Sequence, residues 1–286
     1  MPDVLDERTG GRIEARALRG GLCSPAGLHR RPWLARLRRA LDDDLFVLHF
    51  QPIVAVADRR ISHHEALLRL ADEPNGRLVA PGRFLPAAER YGLIRAIDRM
   101  VIDRVAALLG GAWEPADAGV AGSGGTARIA VNVSALSVTD GQLLAYLAGR
   151  LERHGVDPAR LVIEVTETVA ISDMDSARAF CAGVLALGCE VALDDFGAGF
   201  GSFQYLKHLP FTYLKIDGDF IRRLPVSRTD QLLVKALAEV VRGMGRRTIA
   251  EFVGDETTMS MLRSYGVDYA QGFEVGCPLA ALPDGL

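Results

Sequence analysis

Residues 45–69 read LFVLHFQPIVAVADRRISHHEALLR, two apolar runs near 46–54 and 60–68 divided only by the short turn Ala57 to Arg59. Their Val, Ile, Leu and Phe content marks both as strands. So brief a connection leaves no room for a right-handed crossover, and the pair is predicted to be antiparallel. Downstream the strand signal recurs near 128–133, 161–166, 190–194, 212–216, 247–251 and 268–271, with longer helical patterns between. That alternation marks parallel βα units. Eight strands are the number that closes a barrel. The expected fold class is therefore α/β, an irregular (β/α)8 TIM-like barrel with an antiparallel first strand.

Helices are predicted over 32–41, with Trp33, Leu37 and Leu41 on the apolar side, and over 81–91, 93–109, 139–154, 173–187, 228–243 and 255–265. Pro81, Thr139-Asp140 and Ser172-Asp173 supply start signals. Six glycines among the eighteen residues from Gly110 to Ala127 mark a surface loop. No internal repeat or second core is evident, so the expected division is an Arg-rich N-terminal extension over 1–40, partly helical or disordered, and a barrel domain over 41–286.

The 286 residues are 49% apolar, 24% charged and 7% aromatic, an ordinary globular composition. A net charge of −3 lacks the positive field of a protein that grips polymeric nucleic acid, while leaving room for a small phosphorylated ligand. Residues 1–40 hold nine Arg against four acids, and the plain explanation of this local +5 is a solvated tail. Cys23, Cys181, Cys189 and Cys277 form no CxxC pair and no zinc-like spacing. No stretch approaches the roughly 18 apolar residues of a membrane span, and Asp3, Asp6 and Glu7 are unlike a secretory signal. A cytoplasmic location is expected.

Nearly every strand ends in a polar residue that its apolar run does not explain. These are Glu65 on strand two, Asn132 on three, Glu164 on four, Asp194-Asp195 on five, Lys215 and Asp217 on six, Glu251 on seven and Gln271 on eight. A single such end is ordinarily a solvated strand-to-loop transition. Seven meeting at the carboxyl rim of one barrel describe an active-site mouth.

Carboxylates aimed at one point repel each other and rise in pKa unless cations lie between them. With carboxylate and amide oxygens as donors, those cations are hard divalent ions, Mg2+ or Mn2+. In a continuing strand Asp194 and Asp195 would face opposite ways, so one is expected at the strand end and the other on the loop. So placed, the pair can serve two ions roughly 3.5–4 Å apart with an activated water between them.

Lys215 and Asp217, two apart, are expected on the same side of strand six. Lysine is rare here, only Lys207, Lys215 and Lys235 among 33 cationic residues, so an ammonium at a strand end points to a specific use. It can orient a water or neutralise phosphoryl charge. Arg69 shares parity with Glu65 and can reach a phosphate from that side. His63 and His64 face opposite ways with no partner at ligand spacing, and are read as structural. The Gly-rich run Phe196 to Ser202 lacks a GK[ST] ending and is read as a flexible loop beside the metals.

Taken together, FQPIV at 50–54, EALLR at 65–69, VNVS at 131–134, EVTET at 164–168, DDFGAGFGSFQYLKHLP at 194–210, LKIDGDFI at 214–221 and DYAQGF at 268–273 resemble the EAL domain family of cyclic di-GMP phosphodiesterases, over roughly Leu45 to Leu279. The resemblance implies hydrolysis of one phosphodiester bond of cyclic di-GMP to linear pGpG at a two-metal site. Glu65, Asn132, Glu164, Asp194, Asp195, Asp217 and Glu251 would bind or support the two ions, Mg2+ or Mn2+. Catalysis would fall to Lys215, holding the nucleophilic water, with Glu251, Glu65 and Asp195. Arg69, Gln51 and Gln271 would contact substrate or water, and Glu167 would brace the loop after Asp195. That loop and the following helix imply a homodimer.

The chain departs from the family pattern at three places. Phe252-Val253-Gly254 stands where the family often reads GVE after Ala-Glu, Leu70 replaces a usual Trp, and Cys277 replaces a basic residue before Pro278. No GGDEF or sensory domain is expected within these residues. The competing expectation is a catalytically weak or inactive EAL domain acting as a cyclic di-GMP receptor or protein-interaction module.

Overall fold

The computed structural model describes residues 31–71, 77–111, 127–167, 169, 173–197 and 203–282. Eight strands close a barrel in chain order: β1 (Phe46–Ala55), β2 (Ile61–Leu70), β3 (Ile129–Val133), β4 (Leu161–Thr166), β5 (Glu190–Phe196), β6 (Tyr213–Ile216), β7 (Arg247–Ala250) and β8 (Tyr269–Ala270). β1 runs antiparallel to both β2 and β8, and all other neighbours are parallel. The barrel predicted from the sequence, antiparallel first strand included, is the one that forms. Arg59 turns the β1–β2 hairpin in a left-handed conformation (φ 62°).

Ten α-helices lie among the described residues. They are α1 (Arg31–Asp42), α2 (Pro81–Arg90), α3 (Ile94–Leu109), α4 (Ala135–Val138), α5 (Leu143–His154), α6 (Met174–Ala186), α7 (Phe203–His208), α8 (Gly218–Arg223), α9 (Arg228–Gly243) and α10 (Glu256–Tyr265). Pro81 opens α2, and Asp173 caps α6 by accepting from Ser176 N. The helix expected over 139–154 starts later, at Leu143, and Thr139-Asp140 does not begin it, because a separate short helix precedes it. Ser134 caps α4 by accepting from Ser137 N, Thr139 ends it, and α5 starts afresh at Leu143. The six-residue helices α7 and α8 had no sequence signal, because so short a helix shows too little of the apolar period to be read.

Two bodies of apolar side chains hold the barrel. The larger lies between strands and helices; Leu37 and Ala40 of α1 belong to it, so this helix packs on the barrel across residue 40. The smaller fills the lumen with Ile53, Ala130, Val162, Ala192, Tyr213 and Ile249, against which Tyr269 packs. Because strand side chains alternate with period 2, the next lumen-facing position on each strand lies two residues nearer the rim. Those positions are Gln51, Asn132, Glu164, Asp194, Lys215, Glu251 and Gln271.

Residues 1–30, most of the Gly110–Ala127 loop, Ser172, and residues 198–202 of the Gly-rich run fall outside the described residues. No described helix is long and apolar enough to cross a membrane.

Candidate active site

Lys215 stands at the centre of the rim layer, 1% exposed. Its Nζ lies 2.9 Å from Glu164 Oε2, 2.9 Å from Glu251 Oε1, 3.0 Å from Asp194 Oδ1 and 3.3 Å from Glu65 Oε2. Three strands and the residue just past β7 thus send a carboxylate to one ammonium on β6. The sequence placed Lys215 beside Asp217 on one strand side; in the structure Lys215 points into the lumen, while Asp217 lies past the strand and caps α8, its Oδ1 accepting from Asp219 N at 2.8 Å.

A second line of contacts enters from β1. Gln51 Nε2 donates to Gly276 O at 3.0 Å, and Gln51 Oε1 accepts from Gln271 Nε2 at 3.3 Å. The same Gln271 nitrogen donates to Glu65 Oε2 at 2.7 Å, and Asn132 Nδ2 donates to Glu65 Oε1 at 2.6 Å. Gln51 faces Glu65 across the antiparallel ladder, which explains how a residue with no strand-end signal reaches the rim.

Asp194 and Asp195 both lie within β5, which corrects the expectation that one sits on the loop. The β5–β6 register breaks between Leu193 and Phe196, and Asp195 is left-handed (φ 56°). This twist cancels the alternation that would separate adjacent side chains. Asp194, Asp195 and Glu251 accordingly offer oxygens all within 4.8 Å of one another.

One ammonium does not balance this much negative charge. Burial, reinforced by the Glu65 charge, pushes Glu164 well above the usual carboxylate range. Glu251 is pushed up to about 8 by burial against the pull of Lys215, and Asp195 to about 6 by burial and Asp194. Glu65 goes the other way: burial would raise it, but Lys215 and the hydrogen bonds from Gln271 and Asn132 lower it. Burial would likewise lower Lys215, yet the surrounding carboxylates hold it well above the usual ammonium value. Glu164 Oε1 is buried with no hydrogen-bond partner among the described residues. An all-oxygen donor set, excess negative charge and an orphaned carboxylate oxygen fit hard divalent cations.

Glu167 is buried, and its Oε2 accepts from Gly197 N at 3.3 Å. Arg69 is half-buried, its Nη1 donating to Leu68 O at 2.9 Å. His63 sits in the lumen below the carboxylates, its ring 5.4 Å from Tyr213 and 6.2 Å from Tyr269. Burial, with help from Arg128, drops it to about 3, a neutral packing residue. Burial also lowers His64, to about 4.

From Asn132, Asp194 and Asp195 a groove of about 470 Å3 runs towards Pro81, Leu85, Ile97 and Val101. It passes Asp98, a buried carboxylate whose Oδ2 accepts from Ser134 Oγ at 2.6 Å and Ser134 N at 3.0 Å. Sequence reasoning missed Asp98; the available signal was a lone acid within the apolar pattern IRAIDRMVI. Of the departures, Leu70 is fully buried, Cys277 is exposed, and a side chain at Gly254 would meet open space.

A family model described as EAL domain matches residues 34–278. Cyclic di-GMP phosphodiesterase PdeB of Shewanella oneidensis is 34% identical over 250 residues, covering 86% of this chain and 28% of that protein. The bifunctional diguanylate cyclase/cyclic di-GMP phosphodiesterase MucR of Pseudomonas aeruginosa is 36% identical over 245 residues, 86% of this chain and 35% of that protein. The chain therefore spans about a third of the length of these relatives. Among solved structures, a PaMucR phosphodiesterase complex with c-di-GMP superposes with a TM-score of 0.78 at 35% identity, covering 87% of this chain and 97% of that one. The FimX EAL domain of Pseudomonas aeruginosa bound to c-di-GMP gives 0.79 at 30% identity, with 88% and 98% covered.

Proposed function

The chain belongs to the EAL domain family, and from that premise we propose that it hydrolyses cyclic di-GMP to linear pGpG. Water adds to one phosphorus, the bond from that phosphorus to the 3′ oxygen breaks, and the product carries a 5′-phosphate and a free 3′-hydroxyl. Two divalent ions, Mg2+ or Mn2+, bound by Glu65, Asn132, Glu164, Asp194, Asp195, Asp217 and Glu251, would supply an activated water and neutralise phosphoryl charge.

The protein's own groups have separable tasks. Lys215 retains its proton amid the carboxylates and donates hydrogen bonds to the attacking water and to the charge developing on the phosphoryl oxygens. Glu65, Asp195 and Glu251 hold and orient that water. Gln51 and Gln271 fix the Glu65 carboxylate from the β1 side. Arg69 swings from the Leu68 carbonyl to a substrate phosphate, and Glu167 secures the turn at Gly197. The chain acts as a homodimer in the cytoplasm.

The observation that carries this reading is the convergence of Glu65, Glu164, Asp194 and Glu251 on Lys215 at one rim. Retention of the whole set favours an enzyme over a nucleotide receptor. The test is incubation of purified protein with cyclic di-GMP and Mg2+ or Mn2+, with and without chelator, followed by chromatography. pGpG formed only without chelator is the expected result. Tight nucleotide binding with no product would establish the receptor instead.

A further inference from the structure

The ladder between β5 and β6 breaks between Leu193 and Phe196, and Asp195, inside the gap, is left-handed at φ 56°. Regular alternation would turn Asp195 away from Asp194. This one backbone angle instead brings its carboxylate to the oxygens of Asp194 and Glu251. A non-glycine residue in such a conformation persists where the chain on both sides is held. On the near side Asp194 pairs with Thr166 of β4.

The far side is held by three contacts. Phe196 pairs with Ile216 of β6, and its carbonyl accepts from Asp217 N at 3.3 Å. Gly197, at φ 100°, donates its N–H to Glu167 Oε2 at 3.3 Å. From α8 the Phe220 ring closes on the same glycine, so near that a methyl group there would run into it. The helix that carries Phe220 is itself seated. Asp217 caps it, the Phe252 ring fills the space above its first residue, Gly218, and Phe220 packs against the main core.

We propose that Phe220 is a positioning residue for divalent-cation binding. Closing on Gly197 while Glu167 holds the N–H of that residue, the ring fixes the end of β5, and through the intervening Phe196 it keeps Asp195 in the conformation that aims its carboxylate at Asp194 and Glu251. Glycine is free to adopt either sign of φ. Without the ring Gly197 therefore lets the strand end relax, and Asp195 returns to ordinary alternation. The proposal rests on the metal-dependent reading of the site.

The experiment is calorimetric titration of Mn2+ into the wild-type chain and the variants Phe220→Ala, Phe220→Leu and Leu147→Ala, each with a metal-free melting curve. Leu147, fully buried on α5, is the control for lost packing alone. Phe220→Ala should bind Mn2+ about tenfold more weakly, with kcat reduced and KM little changed. Phe220→Leu, which keeps part of the bulk, should bind with intermediate affinity. Leu147→Ala should melt at least as low as Phe220→Ala yet bind Mn2+ like the wild type. Wild-type affinity in Phe220→Ala, or equal weakening in Leu147→Ala, overturns the proposal. If Phe220→Ala does not fold, Phe220→Leu carries the test, and wild-type affinity there is the overturning result. A wild-type chain that takes up no Mn2+ overturns the metal-dependent reading, whereas tight binding by wild type and Phe220 variants alike overturns this proposal only.

Discussion

Ile53, His63, Ala130, Val162, Ala192, Tyr213 and Ile249 occupy the lower lumen, while Gln51, Glu65, Asn132, Glu164, Asp194, Lys215 and Glu251, two residues nearer the rim on the same strands, occupy the upper. The backbone parity is identical and the chemistry is opposite. Below, apolar and aromatic side chains close the barrel. Above, a buried ammonium and four carboxylates are tolerable only because each compensates another, an arrangement that contributes little net stability. The difference teaches that the lower layer sets stability and the upper layer sets chemistry.

The strongest way to break that division is Lys215→Ala. Removing the ammonium leaves the carboxylates facing each other and the water without its donor, so kcat should fall at least about a hundredfold, measured by pGpG release. The metal-free melting temperature should fall as well, since an uncompensated buried charge remains.

Ile249→Ala probes the lower layer on the neighbouring strand. Ile249 is fully buried, and its truncation should cost about 3 kcal/mol of stability in chemical denaturation. The kcat of pGpG release should fall far less than it does in Lys215→Ala. Equal damage to both properties would erase the distinction between the layers.

Acidity should separate the layers more gently. In chelator, Glu251 titrates near 8 in the fold against 4.5 outside it, so the folded state holds more protons across that window and stability falls as pH rises from about 4.5 to 8. His63 is lowered from 6.5 to about 3, so the unfolded state holds more protons and stability falls as pH drops from about 6.5 to 3. Melting curves across this range should show both slopes. Saturating Mn2+ should remove the first and leave the second.

Much of this comparison was legible in the sequence, because strand periodicity and the polar residues at strand ends are both local signals. The strand-end reading named Glu65, Asn132, Glu164, Asp194, Asp195, Lys215, Asp217, Glu251 and Gln271 without any knowledge of distance. It could not reach Asp98, whose buried carboxylate on α3 acquires meaning only beside Ser134. Nor could it tell that Asp195 faces the same cluster as Asp194 from within β5, because a single left-handed residue leaves no trace in an alternation pattern.

The sequence by itself determined the number and order of the strands, the antiparallel start, and which residue types crowd one rim. Each follows from side-chain period and connection length, properties of a few neighbouring residues. Tertiary structure alone decided that Lys215 sits among four carboxylates rather than beside Asp217, that Asp195 turns back towards Asp194, and that Phe252 rests on Gly218. Those outcomes depend on barrel closure, which brings together groups far apart along the chain and sets how much charge must share one dry space.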